Sequence, residues 1–284
     1  MKPLISIGVP IYNEDRFLRD ALTSLMAQTY TNFEIIISDN ASTDETERIC
    51  QEFAATDNRI IYNRMKHNQG SSRNFAYVLS TSKGKYFMWA AGHDLWSKNF
   101  VSECVALLEL TPSAVVAFGS TQWVDEKGES FNKYWGWTDT RGMNAIARFF
   151  AVFWGNMNPI LGVMRRSVIQ SCKGVGINSV GADLIILSEL VLQGHFAHAT
   201  ETSWSRREFR HGEDFKGRMQ RYGSQQFAIT KSFWGKIFPL ARLPFELIKL
   251  VFVAPISLIE KLGILIILIP SLPIKYLSAR NRKA

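Results

Sequence analysis

Apolar runs of strand length alternate with polar turns and helical periodicity through the first hundred residues. Four such runs predict buried strands, at residues 4–11, 33–38, 59–63 and 86–91. Apolar residues recur at helical spacing over residues 15–28, and further helices are predicted after the second strand and over residues 73–80. This alternation predicts an α/β fold, with a mostly parallel central sheet and helices on both faces.

The pattern is less regular after residue 94, but it still predicts helices and strands. The helices are expected over residues 99–110 and 183–193, and the strands over 114–119, near Trp123, and over 160–164 and 196–202. Residues 128–142 are rich in tryptophan, tyrosine and glycine, which favours a surface loop that binds a ligand. Three aromatic residues of this loop can stack on sugar rings or pack in the core: Tyr134, Trp135 and Trp137.

The net charge of +8 is concentrated near the C-terminus. Residues 216–284 contain 12 lysine and arginine residues and two acidic residues, whereas residues 1–215 are close to neutral. A basic segment predicts an anionic partner, and the aliphatic side chains among these charges favour a membrane surface over nucleic acid. The three cysteines, Cys50, Cys104 and Cys172, have no paired spacing, so a reducing compartment is favoured over a disulfide framework or a zinc site.

Residues 237–277 predict an amphipathic helix that lies in a membrane interface. Polar residues recur along one helical face at three- and four-residue steps, at Arg242, Glu246, Lys249, Ser257 and Glu260. The apolar run over residues 262–269 is too short to span a bilayer, and Pro270 and Pro273 are expected to interrupt it. Basic residues are expected to contact anionic headgroups: Lys275, Arg280, Arg282 and Lys283. The alternatives are a spanning or re-entrant segment and a soluble oligomer interface.

Carboxylates follow three of the predicted strands. Glu14 comes after the first strand, Asp39 closes the second, and Asp94 follows the fourth. Because the carboxyl ends of parallel strands meet at one edge of a sheet, these side chains are expected to share a ligand-binding crevice. Asp39 can accept a hydrogen bond from a base or ribose, Asp94 can hold a divalent cation on a diphosphate, and Arg73 can meet a base or phosphate. Each residue alone is more typical of a turn or a helix cap, so the joint placement carries the prediction.

Signatures of several other nucleotide-binding and hydrolytic folds are missing from the sequence, including a P-loop, a dinucleotide-binding glycine motif and a nucleophile elbow. Instead, ordered motifs resemble the opening of the inverting family 2 glycosyltransferases. They are Val9 to Glu14, Leu25 to Tyr30, Glu34 to Asp44, Asn68-x-Gly70 with Arg73-Asn74, and Gly84 to Phe87 leading to Asp94. The likeness is strong over residues 4–100 and weak over residues 155–215. It implies a Rossmann-like GT-A fold, a nucleotide-diphosphate sugar donor and a Mn²⁺ or Mg²⁺ cofactor.

The resemblance also implies a role for the residues at the strand ends. Five residues would line the nucleotide pocket: Pro10, Tyr12, Glu14, Asp39 and Arg73. Asp94 would match the last carboxylate of the family's metal-binding element, and Ala91 and His93 stand where many members have acids. His93 would lie beside the nucleotide sugar, where it can act as a neutral metal ligand, donate to the diphosphate, or pack against its neighbours.

A catalytic base is implied in the same way. Family members carry this base as the aspartate of a Glu-Asp pair that opens a helix, and Gly181-Ala182-Asp183-Leu184 matches the pair with alanine in place of glutamate. Asp183 would therefore deprotonate the acceptor hydroxyl, and the alternative is an aspartate that only stabilises the start of its helix. A basic segment resembles the one that closes over donor phosphates in relatives: Arg206, Arg207, Arg210 and His211.

These features predict a membrane-associated inverting glycosyltransferase at the cytoplasmic face of the plasma membrane, because the first residues lack the apolar core of a signal peptide. Residues 1–215 are expected to form the glycosyltransferase domain, with the donor half over about 1–100, and residues 216–284 a basic helical tail. The expected reaction moves a hexose or deoxyhexose from a nucleotide-diphosphate sugar to a lipid-linked glycan in surface polysaccharide or lipopolysaccharide synthesis. The alternatives are a polyprenyl-phosphate sugar synthase and a non-catalytic nucleotide-sugar-binding or scaffold protein.

Overall fold

The computed structural model describes residues 4–131, 139–177, 181–209 and 242–281. Its strands are β1 (Ile5–Ile11), β2 (Phe33–Asp39), β3 (Ile60–Arg64), β4 (Tyr86–Trp89), β5 (Leu95–Trp96), β6 (Ala114–Val124), β7 (Ser130–Phe131), β8 (Val163–Arg165) and β9 (His195–Arg207). Its helices are α1 (Leu18–Met26), α2 (Thr46–Thr56), α3 (Ser71–Thr81), α4 (Phe100–Leu110), α5 (Ala145–Trp154), α6 (Arg166–Ser171), α7 (Ala182–Gln193), α8 (Arg242–Val253) and α9 (Leu258–Asn281). A short 3-10 turn (Asn158–Leu161) precedes β8.

The described strands form one sheet in the order β3-β2-β1-β4-β8-β6-β9-β5, with β7 paired to β6. β1 pairs in parallel with β2 on one side and β4 on the other, and β2 pairs in parallel with β3. The short β8 is antiparallel to both β4 and β6, so β4 and β6 point the same way, and β9 runs parallel to β6. The prediction of a mostly parallel sheet is confirmed.

Helices cover both faces of the sheet, as predicted. On one face, β1 directs Ile5, Ile7 and Val9 into a buried cluster with α1, α2 and α4. On the other face, Ile36 of β2 and Phe87 of β4 join a second cluster with α3, α5 and α7. Strands buried on both faces are apolar at nearly every position. Such strands are therefore identified in the sequence by their length and flanking turns, because they lack the alternation of apolar and polar residues that marks a half-buried strand.

β6 and β9 are longer than the sequence predicts. β6 is a single strand where two were expected, and β9 continues to Arg207. The register between them shifts from the pair Gly119–Ala199 to the pair Ser120–Ser203, because three residues of β9 bulge out of the ladder. Those three residues are polar, so they end the apolar run in the sequence without ending the strand.

The C-terminal segment is helical, as predicted, but it forms two helices where a single amphipathic helix was expected. Arg242, Glu246 and Lys249 lie along one side of α8, as the three- and four-residue steps predict. Ser257 and Glu260 instead form a capping box, in which each side chain accepts a hydrogen bond from the backbone N–H of the other. They begin α9 and do not extend the polar side of α8.

Pro270 and Pro273 lie inside α9, so the expected interruption is wrong. Each proline removes one backbone hydrogen bond from a helix, but Ile264 and Leu268 hold α9 in the same buried cluster as α5. α8 packs against α7, so both C-terminal helices are docked on the sheet domain. None of the helices within the described ranges is long and apolar enough to cross a membrane.

Some of the sequence predictions concern residues outside the described ranges. These residues are Tyr134, Trp135, Trp137, Arg210, His211, Arg282 and Lys283. The domain boundary at residue 215 falls outside them as well, so it stays a prediction.

Candidate active site

The loops that follow β1 and β2 form one wall of the site. Asn13 and Ala41 adopt left-handed backbone conformations, with φ of 53° and 62°. Such conformations cost free energy in residues other than glycine, and they cluster at functional sites. The two loops are joined by hydrogen bonds of 2.9 Å, from the Asn13 N–H to Oγ of Ser42 and from the Glu14 N–H to Oγ1 of Thr46. These hydrogen bonds between the two loops hold Glu14 at the sheet edge.

Asp39 is fully buried beneath these loops. Its carboxylate accepts the N–H of Ser42 at 2.8 Å and the hydroxyl of Tyr62 at 3.0 Å, and Nε of Arg64 lies 3.4 Å away. Burial, with the charge of Asp39, raises the pKa of the Tyr62 hydroxyl, because the phenolate would be poorly solvated and would face a carboxylate. Asp39 thus fixes the loops from within the protein, and its contact with a nucleotide stays a prediction.

A pocket of about 400 Å³ opens beside α3, a size that suits part of a small ligand. Arg73 lies on its wall, and the neighbouring Asn74 donates to the carbonyl oxygens of Ile11 at 3.3 Å and Ser38 at 3.0 Å. Oδ1 of Asn74 is buried, and it has no hydrogen-bond partner within the part of the chain that the structure describes. The other lining residues are Asn40, Met65, Gln69, Ala76, Tyr77 and Ser80.

The structure brings the residues predicted for nucleotide binding to one edge of the sheet. Arg73 lines the pocket, and Asp39 ends β2 beneath it. Pro10 lies half-buried near the end of β1, while Tyr12 and Glu14 lie in the loop that follows. Their proximity agrees with the rule that the carboxyl ends of parallel strands share one crevice.

Glu14, His93 and Asp94 form a contiguous group after β4. The two carboxylate oxygens of Glu14 lie 3.2 and 3.1 Å from Nδ1 of His93, and Nε2 of His93 lies 3.9 Å from Oδ1 of Asp94. The His93 ring packs edge-to-face against Phe209, with 5.1 Å between ring centres. Asp94 is only 2% exposed, and this burial raises its pKa, although the charges of His93 and Arg206 oppose the shift.

Arg207, at the end of β9, holds this group in place. Its backbone N–H donates to Oδ1 of Asp94 at 2.9 Å, and its Nε donates to the carbonyl oxygen of His93 at 3.1 Å. Nη1 donates to the carbonyl oxygen of Glu126 at 3.0 Å, and the guanidinium lies 4.2 Å from the ring centre of Phe17. These contacts make Arg207 a structural residue, whereas the sequence suggested contact with donor phosphates.

Asp183 lies in the first turn of α7, directly after Gly181 and Ala182. Its side chain is open to solvent, yet the surrounding protein raises the pKa of its carboxyl group, and the charge of Arg206 opposes this shift. Arg206 acts on Asp94 in the same way. The guanidinium of Arg206 therefore lies within electrostatic reach of both carboxyl groups.

Trp123 and Asn158 are site residues that the sequence did not identify. The Arg206 guanidinium lies 4.9 Å from the ring centre of Trp123, and its Nη1 donates to Oδ1 of Asn158 at 3.2 Å. Asn158 opens the 3-10 turn before β8, and its amide donates to Oγ1 of Thr121 on β6. The sequence gave little indication of their role, because an asparagine before a proline is typical of a turn and a tryptophan in a strand is typical of the core.

The residues after β4 fit a divalent cation that arrives with a diphosphate. Nε2 of His93 and the carboxylate of Asp94 are two donors of suitable type, but the described ranges contain no group of three or more such side chains that could hold a metal ion. Mg²⁺ is often held by one or two carboxylates, with water and substrate phosphates completing its shell. The pair therefore fits a cation shared with a substrate and does not fit a site made of protein ligands alone.

Residues 6–169 match the family model described as glycosyl transferase family 2. The chain belongs to this family. The resemblance seen in the strand-end motifs is confirmed, and the GT-A-type α/β architecture with it.

Curated relatives of this family 2 chain carry the same name. It is 33% identical over 129 residues to an uncharacterized glycosyltransferase of Rickettsia typhi, a match that covers 45% of this chain and 39% of that protein. It is 31% identical over 134 residues to the glycosyltransferase GlyG of Streptococcus pneumoniae serotype 4, covering 47% of this chain and 44% of that protein. The chain thus spans less than half the length of these relatives.

Two solved structures share the fold of this family 2 chain. The Staphylococcus aureus protein TarS in complex with UDP superposes with a TM-score of 0.64 at 13% identity, over 90% of this chain and 68% of that chain. The Pyrobaculum calidifontis mannosyltransferase PcManGT, in complex with GDP-Man and Mn²⁺, superposes with a TM-score of 0.55 at 13% identity, over 99% of this chain and 84% of that chain.

Proposed function

We propose that this chain is an inverting glycosyltransferase that moves a sugar from a nucleotide-diphosphate sugar to a lipid-linked glycan in cell-surface polysaccharide synthesis. The observation that carries the proposal is that two carboxyl groups, that of Asp94 after β4 and that of Asp183 in the first turn of α7, both lie within electrostatic reach of Arg206. One group lies at the end of a strand, where a donor diphosphate binds in an α/β sheet. The other lies in the first turn of α7, where in this proposal it meets the acceptor.

Asp183 is the catalytic base in this proposal. It takes the proton from the acceptor hydroxyl as that oxygen attacks C1 of the sugar, on the face opposite the departing diphosphate. The raised pKa of Asp183 makes it a stronger base than an ordinary carboxylate, and a positioned base contributes roughly 10²–10⁴-fold to the rate. Arg206 stabilises the negative charge that develops on the leaving group.

The donor occupies the edge formed by β1, β2 and β4. The nucleoside lies toward the pocket of Arg73 and the end of β2, and the diphosphate lies toward His93 and Asp94. TarS was crystallised with UDP and with UDP-GlcNAc, and PcManGT with GDP-Man and Mn²⁺, so a nucleotide-diphosphate sugar suits this fold. Asp94 would hold Mn²⁺ or Mg²⁺, which neutralises diphosphate charge when bound.

In this proposal the acceptor lies at an anionic membrane surface, and the exposed side of α9 supports this assignment. The side of α9 that faces away from α5 is apolar, with Ile259 81% and Ile266 72% exposed. Other exposed apolar residues on this side are Leu262, Ile269 and Leu277. Contiguous exposed apolar side chains on a helix are typical of a surface that contacts a partner or a membrane. The excess of basic residues in the same segment favours anionic headgroups, and we assign the protein to the cytoplasmic face of the plasma membrane.

A donor screen followed by a transfer assay tests the proposal. UDP-, GDP-, dTDP- and CMP-sugars are each screened by thermal shift with Mn²⁺, Mg²⁺ or EDTA, because a ligand of the folded state raises the melting temperature. The donor that binds is then incubated with lipid-linked glycan or with polyprenyl phosphate. Transfer only to the glycan supports the proposal, and transfer to the lipid phosphate identifies a polyprenyl-phosphate sugar synthase. Donor binding without transfer or hydrolysis, in wild type as in Asp183→Asn, identifies a binding protein and refutes the proposal.

A further inference from the structure

We propose that Asn158 is a positioning residue for Arg206, which holds the guanidinium through a neutral amide oxygen so that the charge of Arg206 acts on the donor diphosphate. This inference rests on the proposed function, in which Arg206 stabilises the departing diphosphate. The alternative is a purely structural role, in which Asn158 only ties the 3-10 turn before β8 to the sheet.

The orientation of the Asn158 amide is fixed by its two partners. Nη1 of Arg206 lies 3.2 Å from Oδ1 of Asn158, and an arginine side chain can only donate hydrogen bonds. The atom that faces Arg206 is therefore the amide oxygen. The amide nitrogen faces the other way and donates to Oγ1 of Thr121 at 2.6 Å. Asn158 is buried, so protein groups hold both ends of its amide.

The guanidinium is also held from the sheet. Arg206 on β9 pairs with Trp123 on β6, and its guanidinium lies 4.9 Å from the centre of the Trp123 ring, whose face attracts a cation. Thr121 lies two residues before Trp123, so the two side chains share one face of the strand. The turn that carries Asn158 packs against both β6 and α7. Groups on such regular elements are held more precisely than groups on loops.

The groups that hold Arg206 leave its charge uncompensated. An amide oxygen and an aromatic ring are both neutral, and none of the ion pairs among the described residues includes Arg206. Its charge therefore acts on groups farther away, and it opposes the raised pKa of Asp94 and of Asp183. His93 and Glu14 also act on the pKa of Asp94, whereas Arg206 is the one charged group among the described residues that acts on that of Asp183.

An aspartate at position 158 would keep the contacts of the amide and remove this effect. A carboxylate has the shape of the amide, and it can accept hydrogen bonds both from Arg206 and from the hydroxyl of Thr121. It would also form an ion pair with the guanidinium and so compensate its charge. Loss of a donor that stabilises developing charge lowers kcat by roughly 10²–10³-fold. Since Asn158→Asp leaves the guanidinium in place, we expect a smaller loss, on the order of 10-fold.

The test uses the full chain with a UDP- or GDP-sugar, whichever raises its melting temperature, and with water or the lipid-linked glycan as acceptor. Asn158→Asp is expected to lower kcat and to weaken binding of the matching nucleoside diphosphate. It is also expected to move the acidic limb of the pH-rate profile to higher pH, because the charge that opposes the raised pKa of Asp183 is compensated. A merely structural role of Asn158 would not move this limb.

Asn144→Asp is the matched control. Asn144 lies at the opposite end of α5 from the 3-10 turn, and its Oδ1 accepts the N–H of Ala147 at 2.9 Å as a helix cap. Aspartate caps a helix as well as asparagine does, so this variant adds the same charge and is expected to keep the kcat, the Kd and the pH-rate profile of the wild type. The melting temperature of each variant without ligand checks its folding.

A double-mutant cycle tests whether Asn158 acts through Arg206, and it does not depend on the folding of Asn158→Asp. Asn158→Ala is expected to lower kcat in the wild type, and to have no further effect in Arg206→Gln, because two residues that act as one unit are not additive. Equal losses from Asn158→Ala in the two backgrounds would identify a structural role and overturn the inference.

The remaining outcomes separate the inference from the proposed function. Wild-type kcat, Kd and pH-rate profile in folded Asn158→Asp, or wild-type kcat in Arg206→Gln, overturns the inference and leaves the transferase activity intact. A wild type that transfers sugar to neither water nor glycan from any nucleotide sugar overturns the proposed function, and the inference with it.

Discussion

Arg207→Ala is expected to destabilise the fold strongly, although Arg207 makes no close ion pair. Its side chain is only 5% exposed, and its Nε and Nη1 donate to the backbone carbonyl oxygens of His93 and Glu126. The nearest carboxylate, that of Asp20, is 3.6 Å from Nη2 and largely exposed. Alanine leaves both carbonyl oxygens without their charged donor and opens a gap beside Phe17.

The magnitude follows from these contacts. A hydrogen bond to a charged group contributes about 1.5–3 kcal/mol, and we take the lower value twice because water can enter the gap. The contact with Phe17 adds about 1 kcal/mol, and the exposed pair with Asp20 is set to zero because of solvent screening. The free energy of unfolding is thus expected to fall by about 4 kcal/mol, which corresponds to roughly 8–16 °C in melting temperature for a domain of this size. Arg207→Lys keeps the charge but reaches one carbonyl oxygen, so about half of this loss is expected.

Thermal unfolding followed by circular dichroism measures the effect, with Arg48→Ala as the control. Arg48 makes two ion pairs, at 2.6 and 2.5 Å, but its side chain is 58% exposed. We expect no measurable shift for Arg48→Ala, because exposed ion pairs are screened and contribute little. Equal shifts for the two alanine variants, or a larger one for Arg48→Ala, would refute the argument that burial and not ion-pair number decides the contribution.

Asp183→Asn is expected to lower kcat by roughly 10²–10⁴-fold in steady-state transfer assays. The nucleotide Kd and the melting temperature are expected to be no worse than those of the wild type. A kcat within a few-fold of wild type would exclude Asp183 as the base. In wild type, kcat is expected to fall as pH falls through the raised pKa of Asp183, because only the ionised carboxylate accepts a proton; a pH-rate profile whose acidic limb lies at an ordinary aspartate pKa would contradict this. On α9, Ile266→Asp is expected to abolish co-flotation with vesicles that contain phosphatidylglycerol and to leave the melting temperature unchanged, because Ile266 is exposed. Leu268→Ala, on the buried side of α9, is expected to lower the free energy of unfolding by about 2–5 kcal/mol. Vesicle binding by Ile266→Asp would refute the assignment of the exposed side of α9 to the membrane.

The donor edge could be predicted from the sequence because the rules that place it are local. β1, β2 and β4 are continuous apolar runs that end at Glu14, Asp39 and His93-Asp94 or just before them. A parallel sheet brings the ends of neighbouring strands together whatever their exact register. The strand limits were accurate to one or two residues there, since a polar turn follows each run.

The position of Asp183 relative to Asp94 could not be derived from the same rules. It depends on where β9 ends relative to α7, and the polar bulge between Ala199 and Ser203 shifts that end by three residues. Adjacent arginines on β9 also have opposite roles that composition cannot separate. Arg206 is exposed and Arg207 is buried, because successive residues of a strand point to opposite faces. The predicted strand ended at residue 202, before either of them.

The two carboxyl groups of the proposed reaction have raised pKa values, so the fold disfavours their ionised form. The pKa is raised at Asp94 by burial and at Asp183 by the surrounding protein, so the folded state binds protons more tightly than the unfolded chain. At pH values above the raised pKa, ionisation therefore lowers the stability of the folded state, and this loss is relieved as pH falls through that pKa. Asparagine would avoid the loss at either position. Stability alone therefore gives no reason for aspartate at two sites within electrostatic reach of one guanidinium, whereas a base and a cation ligand both require the ionised form.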